Sequence, residues 1–379
     1  LETGLERDAL FANGNQQILS RYPNYNATQT LQGSTTQEQI KARSANWSNP
    51  VGGYIRAIHS KAWGGNSYLI IGKNASDSLG LSYKWVGDNN RGATINDQVM
   101  VENIKEEVDS PGEFYYDSEN GKLYYYPAEG IDINSAVFEG ATTEEILKFT
   151  GVKDGAIVKN ITVDGFKISN TKRTMFTGKY VPLMRGDWCV VRSGAVFLQD
   201  AENINIMNST ITNIGGNGIF VSGHNSGHLI ENNSIINIGS TAVLVAGLPE
   251  SCREPSFWDV NVRDSLPLPE ANPYYVHKTS ITDQAVGPKA EYYPKDITIS
   301  KNHIKNVGLW EKQSCGVSLS VSSRVKILQN TIHLSPRSGI NVNDGTFGGH
   351  EIAYNDVFDC QKETNDHGMF NSWGRDRFW

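Results

Sequence analysis

Between residues 161 and 357 the hydrophobic and polar positions fall into one recurring phrase. It is a hydrophobic-x-hydrophobic run, then hydrophobic-x-x-Asn-x-hydrophobic. It reads Ile230–Asn233–Ile235, Ile299–Asn302–Ile304, Ile327–Asn330–Ile332 and Ile352–Asn355–Val357, with copies lacking the Asn at Val163/Ile168 and Ile206/Ile211. Each copy leads through a short turn to a second run that opens on a small residue: Gly194, Gly218, Ala242, Gly316, Gly339 and Gly368. Gly194 to Gly218 is 24 residues, Gly218 to Ala242 is 24, and Gly316 to Gly339 is 23. A period of that size, built from short alternating β-branched runs without a helical stripe, predicts a solenoid of strands. At a tight inward corner an Asn tolerates unusual φ/ψ, and stacked amides can hydrogen-bond along the axis. The Leu-x-x-Leu-x-Leu spacing of a leucine-rich repeat is absent. The fold class is therefore all-β, a right-handed parallel β-helix.

Residues 1–145 do not repeat. Asn13-Gly14 and Asn120-Gly121, the latter between aromatic strand-formers, predict hairpins. Thr35 and Glu38 offer a capping pattern for a short helix near 36–44. This portion reads as an antiparallel, sandwich-like β domain, and 146–379 as the β-helix. Insertions at 171–193, 308–315 and 360–367 fall before the Gly-Val-x-Leu strand, and 247–295 leaves the corner after it. Solenoids grow loops on the face they use, so the site is expected over that strand. The chain opens in a hairpin and stops just past a new strand, so further segments of the same protein are expected to cover both ends.

Side chains alternate along a strand. In Gly339-Ile-Asn-Val-Asn-Asp, Ile340 and Val342 should point inward and Asn341 and Asn343 outward, with Asp344 at the exit. Ser318 and Ser320 on the preceding rung, and Phe370 and Ser372 on the next, should share that outward strip. Glycoside hydrolysis needs two carboxyl groups ~5–5.5 or ~6.5–9.5 Å apart, and neighbouring rungs lie about 4.8 Å apart. Asp344, Asp366 and Glu363 are the candidate catalytic acids. Asp344 lies at a strand exit and Asp366 at the next strand's entry, which would separate them. An Asp in a Gly-rich turn is also commonly just a turn former. His367, Trp373, Arg375, Asp376, Asn341, Asn343, Glu311 and Trp188 are candidate sugar-binding residues, supplying aromatic faces and hydroxyl partners. Trp310 is expected to extend the aromatic platform, and Asp187 to pair with Arg192. His228 and His350 occupy the slot filled elsewhere by Ile204, Ile297 and Val325, and read as structural.

A formal net charge of −7 lacks the basic stripe that nucleic acid requires. No apolar run reaches the ~18 residues of a membrane span. The four cysteines, at 189, 252, 315 and 360, lack ligand spacing and read mainly as buried thiols.

The segments GINVNDGTFGGHEIAYNDVF and ETNDHGMFNSWGRDRFW, with LFANGNQQILSRYPN, PGEFYYDSENGKLYYYP, GDWCVVRSGAV and EKQSCGVSLS, resemble bacterial right-handed β-helix proteins of glycoside hydrolase family 141. The resemblance implies a secreted, periplasmic or cell-surface carbohydrate-active enzyme. Members include α-L-fucosidases and xylanases acting on plant cell-wall glycans, and they extend beyond both ends of this chain. A polysaccharide or oligosaccharide substrate and no obligatory cofactor are expected. Two alternatives stay open. One is a polysaccharide lyase with Lys312 or Arg375 as base and Asp residues holding Ca²⁺. The other is a non-catalytic glycan-binding or structural β-helix.

Overall fold

The computed structural model describes residues 8–88, 95–175, 180–182, 189–252, 285, 287–343, 347–365 and 367–372. From Leu147 onward the chain winds as a parallel β-helix of three sheets. Sheet A holds Leu147–Thr150, the first parts of Gly194–Met207 and Asn217–Ser226, then Val243–Ala246, Val317–Ser320, Ile340–Val342 and Phe370–Ser372. Sheet B holds Val158–Asp164, the last part of Gly194–Met207, Leu229–Glu231, Thr298–Ser300, Lys326–Leu328 and Glu351–Ala353. Sheet C holds Lys167–Ser169, Thr210–Ile214, Ser234–Ile238, His303–Lys305, Thr331–His333 and Asp356–Phe358. Seven rungs follow, numbered from Leu147. Within each rung the chain passes from A to B to C and back to the next A.

Inward Ile, Val, Leu and Ala side chains from all three sheets fill one continuous core. The small residue that opens the A strands of rungs 2 to 6 has a steric cause. A Cβ on Gly316 would lie 2.4 Å from Ile332 Cγ2, and one on Gly339 would lie 2.3 Å from Val357 Cγ1. Sheet C's β-branched side chains thus occupy the space at the C-to-A corner, and only a minimal residue can turn there.

The repeated Asn sits at the B-to-C corner and forms a continuous ladder. The backbone N–H and Nδ2 of Asn302 both donate to Asn330 Oδ1 at 3.0 Å, while Nδ2 also donates to Ile230 O at 2.9 Å. Asn233 bonds Asn302 in the same way, and Asn330 bonds Asn355. On rung 2 the ladder ends at Ser209, whose N–H donates to Asn233 Oδ1. The expected unusual backbone falls one residue earlier. Asn232, Lys301, Gln329 and Tyr354 have φ between 55° and 58°. The Asn is therefore selected for its amide alone, and the strained position accepts any exposed residue. His228 and His350 serve as further pegs. Their Nδ1 atoms accept from Ile204 N and Val325 N, and burial pushes each ring down to about 4.

Among the described residues up to Gly140, the strands pair antiparallel except for the short parallel pair Ile18–Leu19 with Glu113–Phe114. A five-stranded sheet runs in the order Arg21–Tyr22, Ile95–Glu102, Tyr54–His59, Gly65–Lys73, Leu81–Asp88. Ile40 of the helix Gln37–Ser44 and Trp47 pack against this sheet's inner face. The helix is capped by Thr36 and Gln39 rather than by Thr35 and Glu38. Asn13-Gly14, both at positive φ, turn the hairpin between Leu10–Ala12 and Asn15–Gln16. The loop before Gly121 joins Glu113–Asp117 to Lys122–Tyr125.

Replacing Asn330 by Leu strands the N–H groups of Asn302 and the Ile299 carbonyl that Asn330 Nδ2 contacts at 2.9 Å. The expected loss, read by urea denaturation, is about 3 kcal/mol; an unchanged midpoint would remove the ladder from the account. A second expectation concerns pH. An unfolded His titrates near 6.5, so the stability that the two neutral rings contribute is complete above that pH and lost as pH falls toward 4. In an NMR titration the imidazoles of His228 and His350 should remain unprotonated at about pH 5.5; protonation there would contradict their role as acceptors.

Candidate functional site

The outer face of sheet A changes character along the solenoid. Rungs 2 to 4 present Phe197, Phe220 and Leu244, which pack together. Rungs 5 to 7 present Ser318, Asn341 and Asn371, which lie in register. Asn371 Nδ2 donates to Asn341 Oδ1 at 2.6 Å, and Asn341 Nδ2 to Ser318 Oγ at 3.3 Å. Asn341 is fully buried and its amide is engaged in this ladder. Asn343 N donates to Leu319 O at 2.7 Å, and its buried side-chain amide has no partner among the described residues. Phe370 and Ser372 do not share the outward strip. They pair with Ile340 and Val342 and so lie on the inward side, leaving Asn371 to face out. The alternation expected for rung 7 was off by one residue, because Gly368 is not the counterpart of Gly339.

Insertions flank sheet A on both edges. The three at 171–193, 308–315 and 360–367 occupy the C-to-A edge, whereas 247–295 leaves the A-to-B edge; much of the first and last lies outside the described residues. Described parts of the C-to-A insertions dock the N-terminal sheet. Asp88 accepts from Lys312 N at 2.8 Å and Gln313 N at 3.0 Å, and Asn365 N donates to Ala62 O. Gly65 must be glycine here, because a Cβ would lie 2.2 Å from Asp88 Oδ2 and 3.2 Å from Lys312 Cβ. Arg173 Nη1 bonds Glu102 Oε1 at 2.8 Å, with its guanidinium 3.7 Å from the Trp310 ring centroid. Burial raises Glu102, but Arg173 and Arg56 outweigh it and hold the carboxyl below its usual range.

The candidate acid Glu363 belongs to this junction. Its Oε1 pairs with buried Lys312 Nζ at 2.7 Å, and its Oε2 accepts from Leu31 N at 2.6 Å. Burial lowers the Lys312 pKa, with Glu363 opposing the shift. Glu311, also buried, accepts from Ser240 Oγ at 2.8 Å. His367 is half-buried with φ 74°, on the approach to Phe370–Ser372. Arg192 donates to Ser222 Oγ and to the carbonyls of Ala246 and Gly247. Asp344, Asp366, Trp373, Arg375, Asp376, Trp188 and Asp187 lie outside the described residues. Their described neighbours divide by edge: Asn343 follows its A strand at the A-to-B edge, while Asn365 and His367 precede theirs at the C-to-A edge.

Residues that sequence reasoning missed line a groove of about 270 Å³ at the A-to-B edge of the early rungs: Asp154, Asp200, His224, Glu291 and Tyr292. Tyr292 OH donates to Asp154 at 2.8 Å, and His224 Nδ1 lies 2.9 Å from Glu291 O. Burial raises the Asp200 carboxyl, while Lys159 and His224 hold neighbouring Glu202 low. Asp200 has φ 52° where Gly194–Met207 bends from sheet A into B. A polar residue interrupting two apolar runs was its available signal.

The family described as "Protein of unknown function (DUF1565)" matches residues 120–253. No curated protein matches the chain by sequence. Among solved structures, the fold is similar to one described as "Glycoside hydrolase", with TM-score 0.60 and 13% identity over 93% of this chain and 78% of that one. A structure described as "The complex structure of XylC with xylose" aligns with TM-score 0.43 and 10% identity over 93% of this chain and 47% of that one. The first likeness establishes the shared fold.

Glu363→Gln keeps an acceptor for Leu31 N but removes the charge facing Lys312. Breaking one partner of a buried pair should cost about 3 kcal/mol and expose the 308–315 segment to limited proteolysis. Wild-type stability in this variant would show that the pair does not hold the N-terminal sheet on the solenoid.

Proposed function

We propose that the protein is a glycoside hydrolase acting on a complex polysaccharide, with its reacting carboxylates at the A-to-B edge of rungs 6 and 7. One observation carries the reading. The register Ile340–Phe370, Asn341–Asn371, Val342–Ser372 brings two A strands out side by side. In sequence, Asp344 follows Val342 by two residues and Asp376 follows Ser372 by four. Strands about 4.8 Å apart offer two such carboxylates the separations of ~5–9.5 Å that glycoside hydrolysis uses. Asp366, beside His367, belongs in sequence to the opposite approach and is the competing acid.

Several features support a carbohydrate substrate. Asn371 continues the outward amide ladder along sheet A onto rung 7. Tyr293 and Phe347 form an edge-to-face aromatic pair at the A-to-B corner, with centroids 4.7 Å apart. The fold resembles that of a protein described as a glycoside hydrolase. In the mechanism one carboxylic acid protonates the leaving oxygen, and the other carboxylate attacks the sugar or activates water. Asp344 takes the ionised role. Asp376 takes the acid role, which requires a carboxyl whose pKa is raised, as apolar surroundings or neighbouring negative charge raise one. Trp373 and Arg375, which follow the same strand in sequence, bind and orient the sugar.

The test is hydrolysis of a polysaccharide panel, with calcium and with chelator, by wild type and by Asp344→Asn, Asp376→Asn and Asp366→Asn. The first two should each lower kcat by at least ~10³-fold without loss of folding. Full activity in Asp376→Asn with loss in Asp366→Asn would transfer the acid role to Asp366. Unsaturated products would assign a lyase instead.

A further inference from the structure

A cavity of about 520 Å³ lies between the N-terminal region and the C-to-A side of the solenoid, separate from the A-to-B edge. It opens to solvent on one side, a cleft of the concave kind that small-ligand sites use. One wall is a second amide ladder, at the ends of the sheet C strands. Asn306 Nδ2 donates to Asn237 Oδ1 at 2.8 Å, and Asn237 Nδ2 to Asn213 Oδ1 at 3.3 Å. All three residues have φ between 55° and 59°. This ladder differs from the buried one at the B-to-C corner, because its amides are half-buried and line open space. Beyond the ladder the side-chain Oδ1 of Asn306 and the side-chain Nδ2 of Asn213 have no partner among the described residues. Across from them stand Gln16 and, at 47% exposure, Tyr25.

The charged groups at the cavity are already engaged. Arg173 is bonded to Glu102 and stacked on Trp310. Arg21 donates to the carbonyls of Pro23, Leu31 and Gly33 at 2.6–3.0 Å. What remains for a ligand is a set of neutral amides, each able to donate and accept, together with aromatic surface. That chemistry suits a pyranose, whose hydroxyls both donate and accept and whose ring carries an apolar face. The volume lies within the ~300–1,000 Å³ range of small-ligand pockets.

We propose that this junction cavity is a glycan-binding site for one or two neutral sugar units, distinct from the hydrolytic edge. It uses the Asn213–Asn237–Asn306 ladder, Gln16 and Tyr25. Because its three principal amides come from successive rungs and its opposite wall from the N-terminal sheets, the site exists only when both parts are docked.

Affinity electrophoresis of the full chain in gels containing neutral polysaccharides (xylan, mannan, glucan and galactan) or polyuronate tests this. Asp344→Asn serves as background, so that binding is read apart from turnover. The expected result is retardation by at least one neutral polysaccharide, weakened about tenfold or more by Tyr25→Ala and by Gln16→Ala, with thermal midpoints unchanged. Hydrolysis of a small soluble substrate should stay at the wild-type level in Tyr25→Ala with Asp344 intact. No retardation by any neutral polysaccharide, retardation unaffected by both substitutions, or stronger retardation by polyuronate would each overturn the proposal. Loss of hydrolysis without loss of retardation would concern the edge carboxylates alone.

Discussion

A parallel solenoid lacks the tight hairpins that fix register in antiparallel sheets, so something else must stop one rung from slipping on the next. Here that constraint is the buried amide ladder of Asn233, Asn302, Asn330 and Asn355. Asn233, Asn302 and Asn330 each place their two side-chain N–H groups on the rungs above and below, and all four Asn side chains accept a backbone N–H at the corner. A one-residue slip would leave these groups unpaired in a dry interior, at roughly 1–3 kcal/mol per group, and would turn the Ile and Val positions outward. Sheet alignment, the small residue at the C-to-A corner and the outward strip of sheet A all inherit their placement from that lock.

The second constraint is electrostatic and joins the two parts of the chain. Asp88, Glu102, Arg173, Lys312 and Glu363 are all withdrawn from solvent at the junction. Buried ions are costly unless paired or hydrogen-bonded in good geometry; Arg173–Glu102 and Lys312–Glu363 pair across elements distant in sequence, and Asp88 accepts two backbone N–H groups. Described parts of all three C-to-A insertions therefore act as sockets for the N-terminal region, which explains charged residues in these loops without assigning them to chemistry. The same docking leaves an amide-lined cavity beside the paired charges.

The two edges of sheet A differ in what they hold. The C-to-A edge is occupied by docking, and the A-to-B edge receives the ends of the A strands. Alternation alone could not reveal this division, because it assigns side chains to faces and not to the two ends of a strand.

Much of the fold was legible in the chain. Period, Asn spacing and the small residue opening each A strand determined the solenoid, its separate sheets and its Asn corner, because each signal reflects a local steric or hydrogen-bonding demand. The roles of His228 and His350 could be read for the same reason, since they fill a slot that apolar residues fill elsewhere. Long-range pairing was not legible. Nothing near Glu363 announces Lys312 and Leu31, or near Asp88 the amides of residues 312 and 313, because those partners meet only after the solenoid has wound and the N-terminal sheet has docked. The register of Phe370 was misread because Gly368 looked like the other corner glycines, and only pairing with Ile340 decides which face it takes. The sequence by itself determined which residues could build rungs; the tertiary structure decided which of its carboxylates were consumed in holding the rungs to their neighbour.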